Sequence, residues 1–184
     1  WAPWVTDEKC AKRGLAAGDL GPGSYGAAWR AFPTCDEIIL KTVEQLAAAG
    51  MELQRRDEVS GQFLLIADLV RSIKPFDQLA HLVEQIRELP HLRTHILTPF
   101  IPQYLGRGKG KQQKVVVVPC HGLVHVFVNA KAREMSLYHW QRSADAPVGL
   151  VFNLTQYAAL LMMLAQVTGY TPKKLVFSVS DTGI

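Results

Sequence analysis

Cysteine is scarce in this 184-residue chain: Cys10, Cys35 and Cys120 form an odd, widely spaced set. That spacing argues against a disulfide framework or a structural zinc site and points to a reducing compartment. Long uninterrupted apolar runs are also lacking. The most apolar stretch, residues 150 to 170, contains Asn153, Thr155, Gln156 and Gln166, more polar side chains than a membrane span usually carries, so it reads as a buried helix. The N-terminal residues do not read as a basic-then-apolar leader. The chain opens on Trp1, as a processed, trimmed or partial protein would. Internal repeats and long low-complexity segments are absent. Neither sign of charge dominates, with 20 Lys and Arg against 16 Asp and Glu. The resulting +4 favours anionic partners, and a nucleotide phosphate meets that preference as well as a polynucleotide does. The expectation is a cytoplasmic protein with neither a membrane nor a polynucleotide as partner.

What is present suits one ordered domain, with 48% hydrophobic residues to fill a core. Residues 1 to 34, rich in Gly, Pro and aromatics, read as loop. Residues 36 to 57 read as a helix, and Gly61 to Ile66 as strand or helix. Leu79, Leu82, Val83 and Ile86 form an apolar stripe after Pro75, which predicts a helix ending near Pro90. Thr94 to Phe100, Lys114 to Asn129, Glu134 to Arg142 and Lys174 to Ser180 read as strands, the middle two antiparallel neighbours. Asn153 to Val167 is the buried helix. Strands and helices interspersed irregularly indicate an α+β fold.

Several motifs invite chemistry and fail on context. Gly21-Pro22-Gly23-Ser24-Tyr25-Gly26 matches a dinucleotide fingerprint literally, but the sequence predicts no strand before it and no helix after it. Gly106 to Gly110 lacks the hydroxyl residue that a phosphate loop places after its lysine. His121 and His125, four apart on one strand, would share a face, but no third metal ligand accompanies them, and no metal is expected. Lys109, Lys111 and Lys114 read as a solvated loop, since a nucleic-acid surface would interleave aromatics.

Cys120 is different because of its company. A nucleophilic thiol needs nearby positive charge, and Arg142 lies across a short hairpin-like connection from it. Asn153 follows closely and could either cap the next helix or offer its amide to a ligand.

The order Pro119-Cys120-His121, Gln141-Arg142-Ser143-Ala144-Asp145 and Gly149-Leu150-Val151-Phe152-Asn153 resembles the thymidylate synthase family. Leu20 to Gly26, Trp29 to Thr34, the Trp1 and Trp4 pair, Ala165 to Gly169, and Ser180-Asp181 extend the likeness. The resemblance implies an α+β fold with a mixed or antiparallel sheet packed against helices and dimerising through that sheet. It covers most of residues 1–34 and 75–184 and implies one domain over 1–184, with an atypical enlargement at about 36–74. It also implies transfer of a one-carbon unit from 5,10-methylenetetrahydrofolate to C5 of deoxyuridylate through a covalent Cys120 adduct. Asn153 would pair with the uracil edge. Arg142 and Ser143 would hold the phosphate beside Gln141, and Arg93 would reach the partner subunit's phosphate in a homodimer. Asp145, Gly149 and Trp1 would contact the folate, and Asp145 would also belong to the nucleotide site.

Departures keep other outcomes open. Thr94, His125, Trp140 and Val151 stand where the family has arginine, glutamine, tyrosine and proline, and Gly183 where it has a sugar-contacting histidine. The family's N-terminal arginine loop with its relay glutamate, and its C-terminal closing segment, are expected to be absent. A hydroxymethylase acting on the same nucleotide is one alternative, and a catalytically silent nucleotide-binding homologue is another. A cysteine hydrolase is disfavoured, since His121 would point away from Cys120 along a strand.

Overall fold

The apolar stripe after Pro75 and the alternating apolar residues downstream of His121 form the two elements that frame everything else. The computed structural model describes residues 5–35, 73–108 and 113–183. In chain order the elements are α1 (Asp7–Ala11), α2 (Tyr25–Arg30), β1 (Phe32–Cys35), β2 (Ile73–Phe76), α3 (Gln78–Glu88), β3 (Ile96–Leu97), α4 (Pro102–Leu105), β4 (His121–Asn129), β5 (Glu134–Gln141), β6 (Ala144–Asp145), α5 (Gly149–Thr168), β7 (Thr171–Val179) and β8 (Thr182–Gly183). Contacts divide the chain into two units, Trp1–Phe32 with Pro75–Ile184, and Pro33–Lys74. The expected helix at 36–57, the segment Gly61–Ile66, and nearly all of the expected enlargement lie outside the described residues.

The main sheet has the order β3-β4-β5-β7, antiparallel across β3-β4-β5 and parallel between β5 and β7. One face carries Leu97, Val124, Val126, Val128, Met135 and Leu137, all buried. Against it lies α5, whose buried residues Tyr157, Leu160, Leu161, Leu164 and Ala165 recur at helical spacing, together with Leu82 and Ile86 of α3. The Asp77 side chain starts α3 by accepting the Ala80 N–H at 3.0 Å. The C-terminus of α5 is tied down by two arginines. Arg87 donates to the Val167 carbonyl at 2.6 Å and Arg133 to the Gly169 carbonyl at 2.6 Å, which satisfies acceptors the helix leaves open.

Four expectations need correction. Residues 1–34 are not all loop. Thr6 accepts the Lys9 N–H and starts α1, and α2 opens at Tyr25, so a short helix does follow the glycine motif, though no strand precedes it among the described residues. Gly21 serves close packing there: with φ +90°, a Cβ on it would lie 2.5 Å from the Lys114 carbonyl oxygen. The third strand shrinks to Ile96–Leu97 because the Gln78 amide takes both backbone groups of Thr98, at 3.1 and 2.8 Å, and Pro99 has no N–H to offer. The fourth begins at His121 instead of Lys114, since Pro119 cannot donate and the Cys120 N–H goes to the Tyr25 hydroxyl at 2.8 Å. The helix 149–168 is buried on one flank only. It is long and apolar enough to cross a membrane by length and composition, but Val151, Phe152, Met162 and Met163 are exposed while the opposite flank packs on the sheet.

Leu137 has no exposed surface and sits in the middle of the core cluster. Leu137→Ala should lower unfolding stability by about 2–5 kcal/mol, read as a drop in urea midpoint with an unchanged slope.

Candidate functional site

The site is built at the open end of the β4–β5 hairpin. The ladder's last pair is His121 with Gln141, so Cys120 and Arg142 are the first residues beyond it on either strand. The Cys120 carbonyl accepts the Arg142 N–H at 2.7 Å and the Ser143 N–H at 3.3 Å. The Arg142 guanidinium lies with Nη2 3.9 Å from the Cys120 Sγ, and its Nε donates to the Pro119 carbonyl at 3.4 Å. A thiol that becomes an anion therefore has a fixed cation beside it.

Cys120 opens onto a cavity of about 570 Å³, lined also by Tyr25, His121, Gln141, Ser143, Asp145, Gly149, Asn153, Asp181 and Gly183, among others. Of the residues expected from sequence, Cys120, Gln141, Ser143, Asp145, Gly149 and Asn153 thus share one hollow, with Arg142 exposed and adjacent to the sulfur. Arg93 does not line it; it lies exposed in the connection between α3 and β3. Trp1 lies outside the described residues.

Asn153 is not a helix cap. It sits inside α5, and its Oδ1 accepts the Gln141 Nε2–H at 3.1 Å. Gln141 is 1% exposed, and the same Nε2 also donates to the Ser143 carbonyl at 2.9 Å. Its Oε1 is buried without a protein partner. The Asp145 carboxylate accepts the Val148 N–H at 3.3 Å, just before α5, and so anchors the helix start at the cavity wall.

Behind the thiol is a packed set of rings. Tyr25 stacks on His121 with centroids 4.4 Å apart, and His139 stacks on Tyr157 at 3.7 Å. The His121 Nδ1 is 2.6 Å from the Tyr157 hydroxyl. Burial holds both imidazoles neutral: it lowers His121 to about 4 and, with the neighbouring His121 adding to the effect, His139 to about 3. Burial raises both tyrosine hydroxyls well above the ordinary phenol range.

The reading of His121 and His125 as one face is overturned. Gly122, at φ +113°, is an extra residue in the ladder, so that His121 faces Gln141 but Leu123 already faces Trp140. The bulge sends His121 to the core side with Tyr157, while His125 pairs with the exposed Tyr138. Cys120 precedes the strand, which begins at His121, so strand alternation does not govern it, and both residues line one cavity. Sequence reasoning assigned no role to Tyr25, Tyr157, His139 or Asp181. Tyr25 and Asp181 lay within quoted motifs; Tyr157 and His139 gave no local signal.

A thymidylate synthase family model matches residues 1–184. The thymidylate synthase of Phytoplasma mali is 32% identical over 114 residues, which is 62% of this chain and 36% of that protein. The thymidylate synthase of Pseudomonas putida is 30% identical over 169 residues, 90% of this chain and 48% of that protein. The chain therefore spans less than half the length of either curated relative.

Because the folded-state values of His121 and His139 lie below the usual histidine value of 6.5, the unfolded chain binds more protons as pH falls from 6.5 toward 4. Their contribution to stability is complete above pH 6.5 and is lost on acidification through that window. The guanidinium midpoint should therefore fall between pH 6.5 and 4.5, by at most about 1.4 kcal/mol per pH unit for each histidine, and His121→Asn should flatten the profile.

Proposed function

Because the chain belongs to the thymidylate synthase family, we propose that its cavity binds deoxyuridylate and supports transfer of a one-carbon unit from 5,10-methylenetetrahydrofolate to C5 of the uracil. The observation that carries this reading is the convergence on one hollow of the Cys120 thiol, the adjacent Arg142 guanidinium and the coupled amides of Gln141 and Asn153.

Each group has a task its chemistry suits. The Cys120 thiolate adds to C6 of the ring and pushes electron density to C5, which then attacks the methylene carbon. Arg142 and Ser143 hold the phosphate, the arginine through paired charge-assisted hydrogen bonds. The Gln141–Asn153 hydrogen bond supports uracil recognition. With one Oδ1 lone pair occupied by Gln141, Asn153 keeps its Nδ2–H groups for O4 and its second lone pair for N3–H. Cytosine presents the reverse pattern and would call for an acid at that position. Asp145, Gly149 and Trp1 would face the folate. After the carrier departs, an exocyclic methylene remains at C5. Hydride from tetrahydrofolate converts it to thymidylate and leaves dihydrofolate, whereas water gives the hydroxymethyl nucleotide.

The unit of action in this reading is a homodimer of one thymidylate-synthase-like domain, with an enlargement at about 36–74. The sheet face opposite α5 carries exposed apolar side chains: Ile96, Phe127 and Tyr138 are 49, 46 and 41% exposed on it. A second copy laid on that face would bury it, and Arg93 would reach the partner's phosphate.

Incubation with deoxyuridylate and methylenetetrahydrofolate should produce dihydrofolate, seen by its absorbance; a hydroxymethyl product without dihydrofolate would replace methyl transfer with its alternative. 5-Fluorodeoxyuridylate plus the folate should leave a mass adduct on Cys120. Failure to form it in the unaltered protein, as a silent homologue would fail, sinks the proposal. Cys120→Ala should abolish the adduct, and Asn153→Asp should shift nucleotide preference from deoxyuridylate toward deoxycytidylate by tenfold or more, on the order of one reversed hydrogen-bond pair. Phe127→Lys should convert a dimer to a monomer in sedimentation equilibrium.

A further inference from the structure

We propose that His139 is a positioning residue for Cys120: its Nε2 lone pair captures the Gly122 N–H and so fixes the bulge that sends the His121 ring to the core side and holds the adjoining Cys120 at the cavity. The inference rests on the functional reading above only for its effect on turnover.

The backbone N–H of Gly122 lies 3.1 Å from the His139 Nε2, and a backbone N–H can only donate. The Nε2 must therefore carry the lone pair, and the proton of the neutral ring belongs on Nδ1. That nitrogen is buried with no protein partner, so nothing in the fold favours the opposite tautomer at that end. The ring itself is 2% exposed and clamped between Tyr157 at 3.7 Å and Phe177 at 4.3 Å. A rigid acceptor thus stands where the ladder would otherwise continue in register.

The bulge needs such a hold. Gly122 takes φ +113°, and a Cβ there would come within 2.9 Å of Pro99 Cγ, so only glycine fits and the chain has several ways to relax. Its N–H is the group that the register shift between His121 and Leu123 leaves without a strand partner. With that N–H held, His121 reaches Tyr157, and Cys120, one residue earlier, presents its carbonyl to Arg142 and Ser143. Burial keeps the ring unprotonated at neutral pH and so keeps the acceptor available. A protonated ring would set an N–H against an N–H.

The test starts with the unaltered protein. Long-range nitrogen–proton NMR of the imidazole should show His139 as the Nδ1–H tautomer, and the Gly122 amide should exchange slowly with solvent. An Nε2–H tautomer would overturn the proposal at once, since that nitrogen could not accept. In His139→Leu, which keeps bulk and removes the acceptor, Gly122 exchange should rise by roughly tenfold. The kcat should fall by roughly 10- to 100-fold while KM for deoxyuridylate stays within a few-fold. His139→Gln, whose carbonyl can accept at similar reach, should recover most of both effects. A leucine variant with unchanged Gly122 exchange would refute the idea, as would a glutamine variant no better than leucine. If the unaltered protein shows no turnover, the functional reading fails, and the tautomer and exchange measurements still decide the role of His139.

Discussion

Two backbone N–H groups, those of Arg142 and Ser143, converge on the carbonyl oxygen of Cys120, and the cavity exists because of that clasp. It closes the β4–β5 ladder one residue beyond its last pair and forces two strands that would splay to leave their side chains together. The guanidinium lies beside the sulfur, where its Nε donates to the Pro119 carbonyl. Everything further out is hung on this corner. Gln141, inside the ladder, reaches forward to Ser143 and across to Asn153 of α5, and Asp145 fastens the start of the same helix.

The corner is supported from behind by aromatic packing instead of by ion pairs. Tyr25 gives its oxygen to the Cys120 N–H and its ring to His121; Tyr157 and His139 continue the stack into the core. Such a support is apolar enough to keep imidazoles neutral, yet every ring carries a polar atom that can fix a neighbour. The arrangement joins catalytic geometry to core packing, so that a change in the hydrophobic centre is felt at the thiol.

How much of this was legible beforehand depends on range. Helix α3 could be read because its apolar stripe and its Asp77 cap lie within one short segment. The neighbourhood of Cys120 and Arg142 was readable too, since a hairpin is a local object and the motif spacing matched a known family. The bulge at Gly122 was not, and one extra residue put His121 and His125 on opposite faces. The bond from Cys120 to Tyr25 spans 95 positions, and the Thr98 capture by Gln78 spans 20; neither leaves a periodic trace. The flank of α5 that stays open was also beyond reach, because composition reports how apolar a helix is and says nothing of how many sides are covered.

The parallel pairing of β5 with β7 has a temporal consequence. The cavity residues from Ser143 through Asn153 belong to the crossover that joins those two strands, and Asp181 and Gly183 follow β7. Parallel neighbours cannot meet by a tight turn, so β7 docks only after that whole excursion has wound back over the sheet. Docking of β7 therefore brings the crossover's share of the pocket wall into place beside the thiol.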